Sequence, residues 1–148
     1  GYTPETKQIE IAEEACPESI AQKLDIPTQS SILISRNILF ADGNPAIYVE
    51  DMIPKSLAKE DFNPREMEAS ILNFLEERCQ ERIAYTISEI LPRICGDELS
   101  QILGIEPWQA LIETDGVIFN ENNEPIMFSK SYYRDPFIRF SVIRKKQT

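Results

Sequence analysis

Apolar and polar positions alternate along most of this chain. Residues 8–15, QIEIAEEA, alternate and predict a first strand. Residues 31–41 predict a long strand and 46–53 its return, joined by Asp42-Gly43-Asn44-Pro45, where glycine supplies the positive φ of a tight turn. Residues 82–91 alternate again. Residues 108–119 and 125–135 predict a second hairpin with its turn at 120–124, and 137–144 a last strand with Ile138, Phe140 and Val142 on one face. Helical spacing occurs in three places. Pro17 suits the first position of a short helix that puts Ile20, Ala21 and Leu24 on one side. Asn63, Pro64 and Glu66 have the form of a capping box, and Ile71, Phe74, Leu75 and Arg78 follow, which predicts a helix over 64–79. Asp97 is placed to cap a third helix that Gly104 ends. Strands interrupted by three helices give an α+β class with a mainly antiparallel sheet.

Beneath this order lies an internal repeat. An offset of 79 aligns Cys16 with Cys95, Gln22 with Gln101, Leu24 with Leu103, Ile26 with Ile105 and Phe40 with Phe119. One extra residue in the second turn then aligns Pro45 with Pro125 and Tyr48 with Phe128. Each copy is a short helix followed by a hairpin, so two copies predict one continuous sheet flanked by helices. The polar residues are not repeated: Arg36 aligns with Asp115, Glu50 with Lys130 and Asp51 with Ser131.

Strand periodicity also shows which polar side chains share a face with apolar ones. Arg36 falls in the stripe Ile32, Ile34, Ile38 and Phe40, and Glu89 in the stripe Ile83, Tyr85, Ile87 and Leu91. Glu50 lies with Tyr48 and Met52; Ser129, Ser131 and Tyr133 lie with Met127; Ser70 is one turn before Phe74. A buried guanidinium is costly unless paired. Arg36 is therefore expected to meet either an internal carboxylate, with Glu89 as the named partner, or an anionic ligand in a pocket of convergent polar groups.

Composition narrows the function. Net charge is −10 and the pI about 4.5. Nucleic-acid binding needs a basic footprint, and only the stretch 139–146 offers one, interleaved with apolar residues. There is no histidine, which removes the commonest general base and metal ligand. Cys16, Cys79 and Cys95 match no zinc or disulfide spacing. No phosphate-binding glycine loop or serine nucleophile elbow occurs. No apolar run reaches the roughly 20 residues of a membrane span, and the first residues form no apolar signal segment, so the expected location is cytoplasmic. No cofactor or metal is expected.

The order of motifs resembles the UTRA domain, the effector-binding module of GntR-type transcription regulators of the HutC subfamily. The residues that carry it are SRNILFADGNPAIYVEDMIP, EASILNFLEE, IAYTISEILP, LSQILGIEPWQALI and EPIMFSKSYYRDPFIRFSVIRKK, spanning about 9–144. The resemblance implies a chorismate-lyase-like fold with a ligand between sheet and helices, residues 1–148 as a single domain, and a winged helix-turn-helix in the parent protein as the only DNA-binding part. It implies a homodimer and a small anionic metabolite as partner. Family members that take phosphorylated sugars carry two arginines at R-x-R spacing; here Arg36 is followed by Ile38, and Met127 stands where a glutamate is usual, which favours a smaller or more apolar acid. Carried over by position, the ligand-binding candidates are Arg36, Glu50, Ser70, Glu89, Ser129, Tyr133 and Arg134. Two rivals remain at this stage: a chorismate-lyase-like enzyme acting on a small carboxylate, and a dimerisation domain whose pocket is vestigial.

Overall fold

Six antiparallel strands form one sheet in the order β1-β2-β3-β6-β5-β4 in the computed structural model, which describes residues 2–58 and 62–147. The strands are β1 (Pro4–Ala15), β2 (Ser31–Ala41), β3 (Asn44–Pro54), β4 (Ile83–Ile94), β5 (Ala110–Asn120) and β6 (Pro125–Arg134). The helices are α1 (Glu18–Leu24), α2 (Ile71–Asn73) and α3 (Gly96–Leu103). The α+β class and the flanked antiparallel sheet expected from the pattern are therefore present. Residues 59–61 of the linking segment lie outside the described residues.

The repeat is larger than the sequence suggests. An offset of 79 carries β1 onto β4 and β2 onto β5, end for end. Each unit is strand, helix, hairpin, and β3 pairs with β6 where the units join. Equivalent backbone bonds recur: the Cys16 amide donates to Ser30 O and the Cys95 amide to Gln109 O, both at 2.8 Å. Each helix ends on a left-handed residue, Asp25 or Gly104. Sequence identity missed the first strand of each unit because edge strands are largely solvated, which frees most of their side chains to differ; only Glu10 and Ile11, against Glu89 and Ile90, survive as a signal.

The two faces of the sheet are covered differently. On the helix face, α1 packs Cys16, Ala21 and Leu24 against Ile32, Ile34, Met52 and Phe128. There α3 packs Cys95, Leu99 and Leu103 against Tyr48, Leu111 and Tyr132. On the opposite face, here the linker face, the segment between β3 and β4 packs Met67, Phe74, Leu75 and Cys79 against Leu33, Ile53, Ile118 and Met127. A fully buried leucine contributes about 2 kcal/mol by removal from water, so each layer is anchored by several such residues.

Three expected elements differ. The helix over 64–79 is broken into a 3-10 turn (Pro64–Met67), α2 and a π turn (Phe74–Arg78). Asn63 does cap the first piece through Arg65, but Ser70 is extended at φ −168° and its Oγ accepts from the Asn73 amide, starting a second helix. Serine side chains compete with the backbone in this way. The strand over 137–144 is absent: both edges of β6 are already paired, with β3 and β5, so the chain after it has no ladder to join. Asp97 lies inside the first turn of α3, whose cap is Cys95, and makes no side-chain capping bond.

Candidate functional site

A charged row crosses the helix face. Strand register places Glu10, Arg36, Glu50, Lys130, Asp115 and Glu89 opposite one another in that order across all six strands. On one side runs the apolar row Ile34, Met52, Phe128 and Val117 beneath α1; on the other runs Ile38, Tyr48 and Tyr132 beneath α3. The Arg36 side chain is 19 % exposed, and its guanidinium is surrounded by carboxylates. Its Nε donates to Glu50 Oε2 at 2.9 Å and its Nη1 to Glu10 Oε2 at 2.8 Å, while Nη2 lies 3.4 Å from Glu14 Oε1. Burial opposes its charge, yet the Glu50 bond and the charges of Glu14 and Glu50 prevail and hold its pKa above the ordinary value.

The expected Arg36–Glu89 pair does not form. The two residues share a row but stand four strand spacings apart, about 19 Å. Glu89 is on the outer strand β4, its side chain 65 % exposed, and its nearest cation is Lys23 at 3.7 Å. The stripe that holds it is apolar but solvated, because nothing pairs beyond β4. Asp115 is the unsettled member of the row. Its Oδ1 is buried without a hydrogen-bond partner, Lys130 lies 3.8 Å away, and burial raises its pKa.

A second polar group lies on the linker face. One row holds Ser35, Asp51, Ser129, Gly116 and Ser88; the next holds Asn37, Val49, Ser131, Thr114 and Ile90. These side chains are small, and Ser35, Asp51 and Ser131 are buried. Asp51 is 8 % exposed; burial raises its pKa, and a hydrogen bond from Ser129 only partly offsets this. Ser35 Oγ accepts from Gln8 Nε2 at 3.3 Å and from Asn37 Nδ2 at 3.1 Å. Beyond Gln8 a cleft of about 510 Å³ opens between β1 and the 3-10 turn that carries Pro64 and Arg65. At the far end of the face, Tyr133 packs edge-on against Phe140, ring centroids 5.0 Å apart.

The structure thus divides the seven candidates. Ser129 and Tyr133 stand on the linker face, and Ser70 is the cap of α2 in the segment covering it. Arg36, Glu50, Glu89 and Arg134 stand on the helix face. Arg134 is structural there: Nη1 donates to Pro45 O at 3.0 Å, with Leu103 O at 3.5 Å, tying the first hairpin and the end of α3 to β6. Gln8, Ser35, Asn37 and Asp51 were not among the candidates. For Ser35 and Asn37 the signal is the alternation Leu33, Ser35, Asn37, Leu39, the opposite face of the strand that carries Arg36. Among the described residues no cluster of carboxylates and thiols has a metal-site arrangement, and no helix is long and apolar enough to cross a membrane.

Comparison with known proteins agrees with this architecture. A model of the UTRA domain matches residues 1–137. A GntR-family transcriptional regulator from Bacillus cereus is 15 % identical, with a TM-score of 0.83 over 96 % of this chain and 99 % of that one. One from Enterococcus faecalis is 21 % identical, with a TM-score of 0.84 over 95 % of this chain and all of the other. A Bacillus subtilis protein described as a possible transcriptional regulator, YydK, is 19 % identical with a TM-score of 0.83; it covers 97 % of this chain, which spans 63 % of that structure. Among curated proteins, none matches in sequence.

Proposed function

The chain belongs to the UTRA domain family, and on that premise we propose that it is the effector-binding domain of a GntR-type transcription regulator of the HutC subfamily. A small metabolite is held between the linker face and the segment joining β3 to β4. The observation that carries this reading is the polar patch of buried Ser35, Asp51 and Ser131, with half-buried Ser129 beside Asp51. A sheet face that merely packed would gain stability from apolar residues there, whereas buried polar groups cost free energy unless bonded. Ser70, Ser129 and Tyr133 are the original candidates that fit this placement. Arg36 and Glu50 act in the reading as a frame joining the first unit's strands, since the guanidinium is already satisfied.

The remaining parts follow from the same premise. DNA contact belongs to an attached winged helix-turn-helix, in keeping with the acidity of this domain, and the setting is the cytoplasm. The effector binds two arrangements of the linking segment with different affinity, and that difference is transmitted to the DNA-binding part. The domain acts without catalysis. It dimerises through β4, whose Ile87, Ile90 and Ile94 are exposed and whose charges are two, Glu89 and Arg93, whereas the equivalent edge β1 carries five, Glu5, Lys7, Glu10, Glu13 and Glu14. Charge on an edge strand guards against pairing, and an apolar edge invites it.

The test is a metabolite-library thermal shift on the full chain, with chorismate included and pyruvate release monitored. At least one metabolite should raise the melting temperature, and chorismate should give no pyruvate. No stabilising compound, or turnover of chorismate, would refute the proposal.

A further inference from the structure

We propose that the effector of the linker face is a cationic hydrogen-bond donor, an amine-bearing metabolite whose ammonium group is received by Asp51. This rests on the linker face being the effector site, and it departs from the organic acid that Arg36 suggested. The first observation is a partition of charge. The cations of the strands, Lys7, Arg36, Arg93, Lys130 and Arg134, all fall on the helix face by register. The strands' linker face carries the acids Glu13 and Asp51 and no lysine or arginine. Glu13 is already matched by Lys55 at 2.7 Å. Asp51 has no lysine or arginine within ion-pair distance among the described residues.

The second observation is an acceptor with nothing to accept. Gln8 Nε2 donates to Glu10 O at 2.8 Å, Arg36 O at 3.2 Å and Ser35 Oγ at 3.3 Å. Two of those are backbone carbonyls, which only accept, so the amide cannot be turned over. Its Oε1 therefore faces the other way, buried and without a partner. Gln8 and Asp51 flank Ser35, whose oxygen already accepts from both neighbouring amides. The patch thus holds one buried acceptor without a donor, Gln8 Oε1, and no positive charge from the strands. An ammonium group supplies both, with three N–H donors and no acceptor. A carboxylate or phosphate would instead set like charge beside a buried carboxylate, which is strongly disfavoured. The cleft beyond Gln8 adds no net cation to this face, since Glu68 balances Arg65 along it and Glu10 is held by Arg36.

The experiment is an NMR titration of the full chain with ethanolamine, and separately with acetate and inorganic phosphate. The Asp51 carboxyl carbon and the Gln8 side-chain amide are observed. Ethanolamine should shift both signals saturably, and acetate and phosphate should not. In Asp51→Asn the ethanolamine affinity should fall about ten-fold or more, the loss of one charge-assisted bond. No response to ethanolamine, or a response that survives Asp51→Asn, overturns the inference. If acetate or phosphate moves the same signals, the charge assignment fails while the site stands. If a stabilising metabolite from the library leaves both signals unmoved, the placement of the site fails as well.

Discussion

Arg36 and Asp51 are near neighbours across β2 and β3 but sit on opposite faces, and their circumstances are opposite too. Arg36 has three carboxylates around one guanidinium. Removing it in Arg36→Ala leaves Glu50 partly buried without its cation and should cost about 3 kcal/mol of unfolding free energy by urea titration. A cost near zero would show that the cluster is no more than a solvated surface pair. Asp51 has no cation beside its carboxyl among the described residues, and burial raises its pKa. The folded chain then binds this proton more tightly than the unfolded chain, where it titrates near 3.9. Its contribution is complete below that value and is lost as pH rises through the raised folded pKa. Asp51→Asn should therefore gain melting temperature over the native chain as pH climbs from about 4, then level off. A difference that stays flat from pH 3 to 8 would contradict the burial argument. Arg36 was conspicuous in the sequence because one charge interrupts a run of isoleucines; Asp51 was not, because serines on neighbouring strands became its surroundings only once the sheet was assembled.

At the level of elements, the two units behave as copies wherever apolar packing decides. Leu24 and Leu103 are equivalent and both fully enclosed against the helix face. Leu24→Ala and Leu103→Ala should each cost about 3 kcal/mol, measured by denaturant unfolding. A several-fold inequality would mean that the units are not energetic equivalents. β2 and its hairpin turn were legible because two strong local signals agree. Alternation fixes the faces, and Asp42-Gly43 adopts the paired positive φ of 50° and 77° that tight hairpins favour. The linking segment differs from the expected helix because the spacing of Ile71, Phe74, Leu75 and Arg78 fits one long helix as well as shorter pieces. Only Ser70, acting as a second cap, separates them. The last expected strand failed for a nonlocal reason: alternation does not say whether a free edge is within reach.

For the whole molecule, the symmetric frame and the asymmetric charges divide the labour. Equivalent positions hold the sheet and helices together, while Arg36 against Asp115 and Glu50 against Lys130 make the centre of the helix face internally compensating. The linker face is left with the Asp51 carboxylate beside hydroxyls and amides, its other strand acid, Glu13, being matched by Lys55. The same asymmetry distinguishes the edges. Ile90→Glu on β4 should convert the proposed dimer to a monomer in sedimentation equilibrium, while Ile9→Glu on the β1 edge should leave assembly unchanged. The reverse pattern would place the interface elsewhere. The most direct test of the account is the melting-temperature rise given by a stabilising metabolite, compared between Ser131→Val on the linker face and Asp115→Asn on the helix face. The account predicts that the rise is lost in Ser131→Val and kept in Asp115→Asn; a rise kept in the first and lost in the second would contradict it.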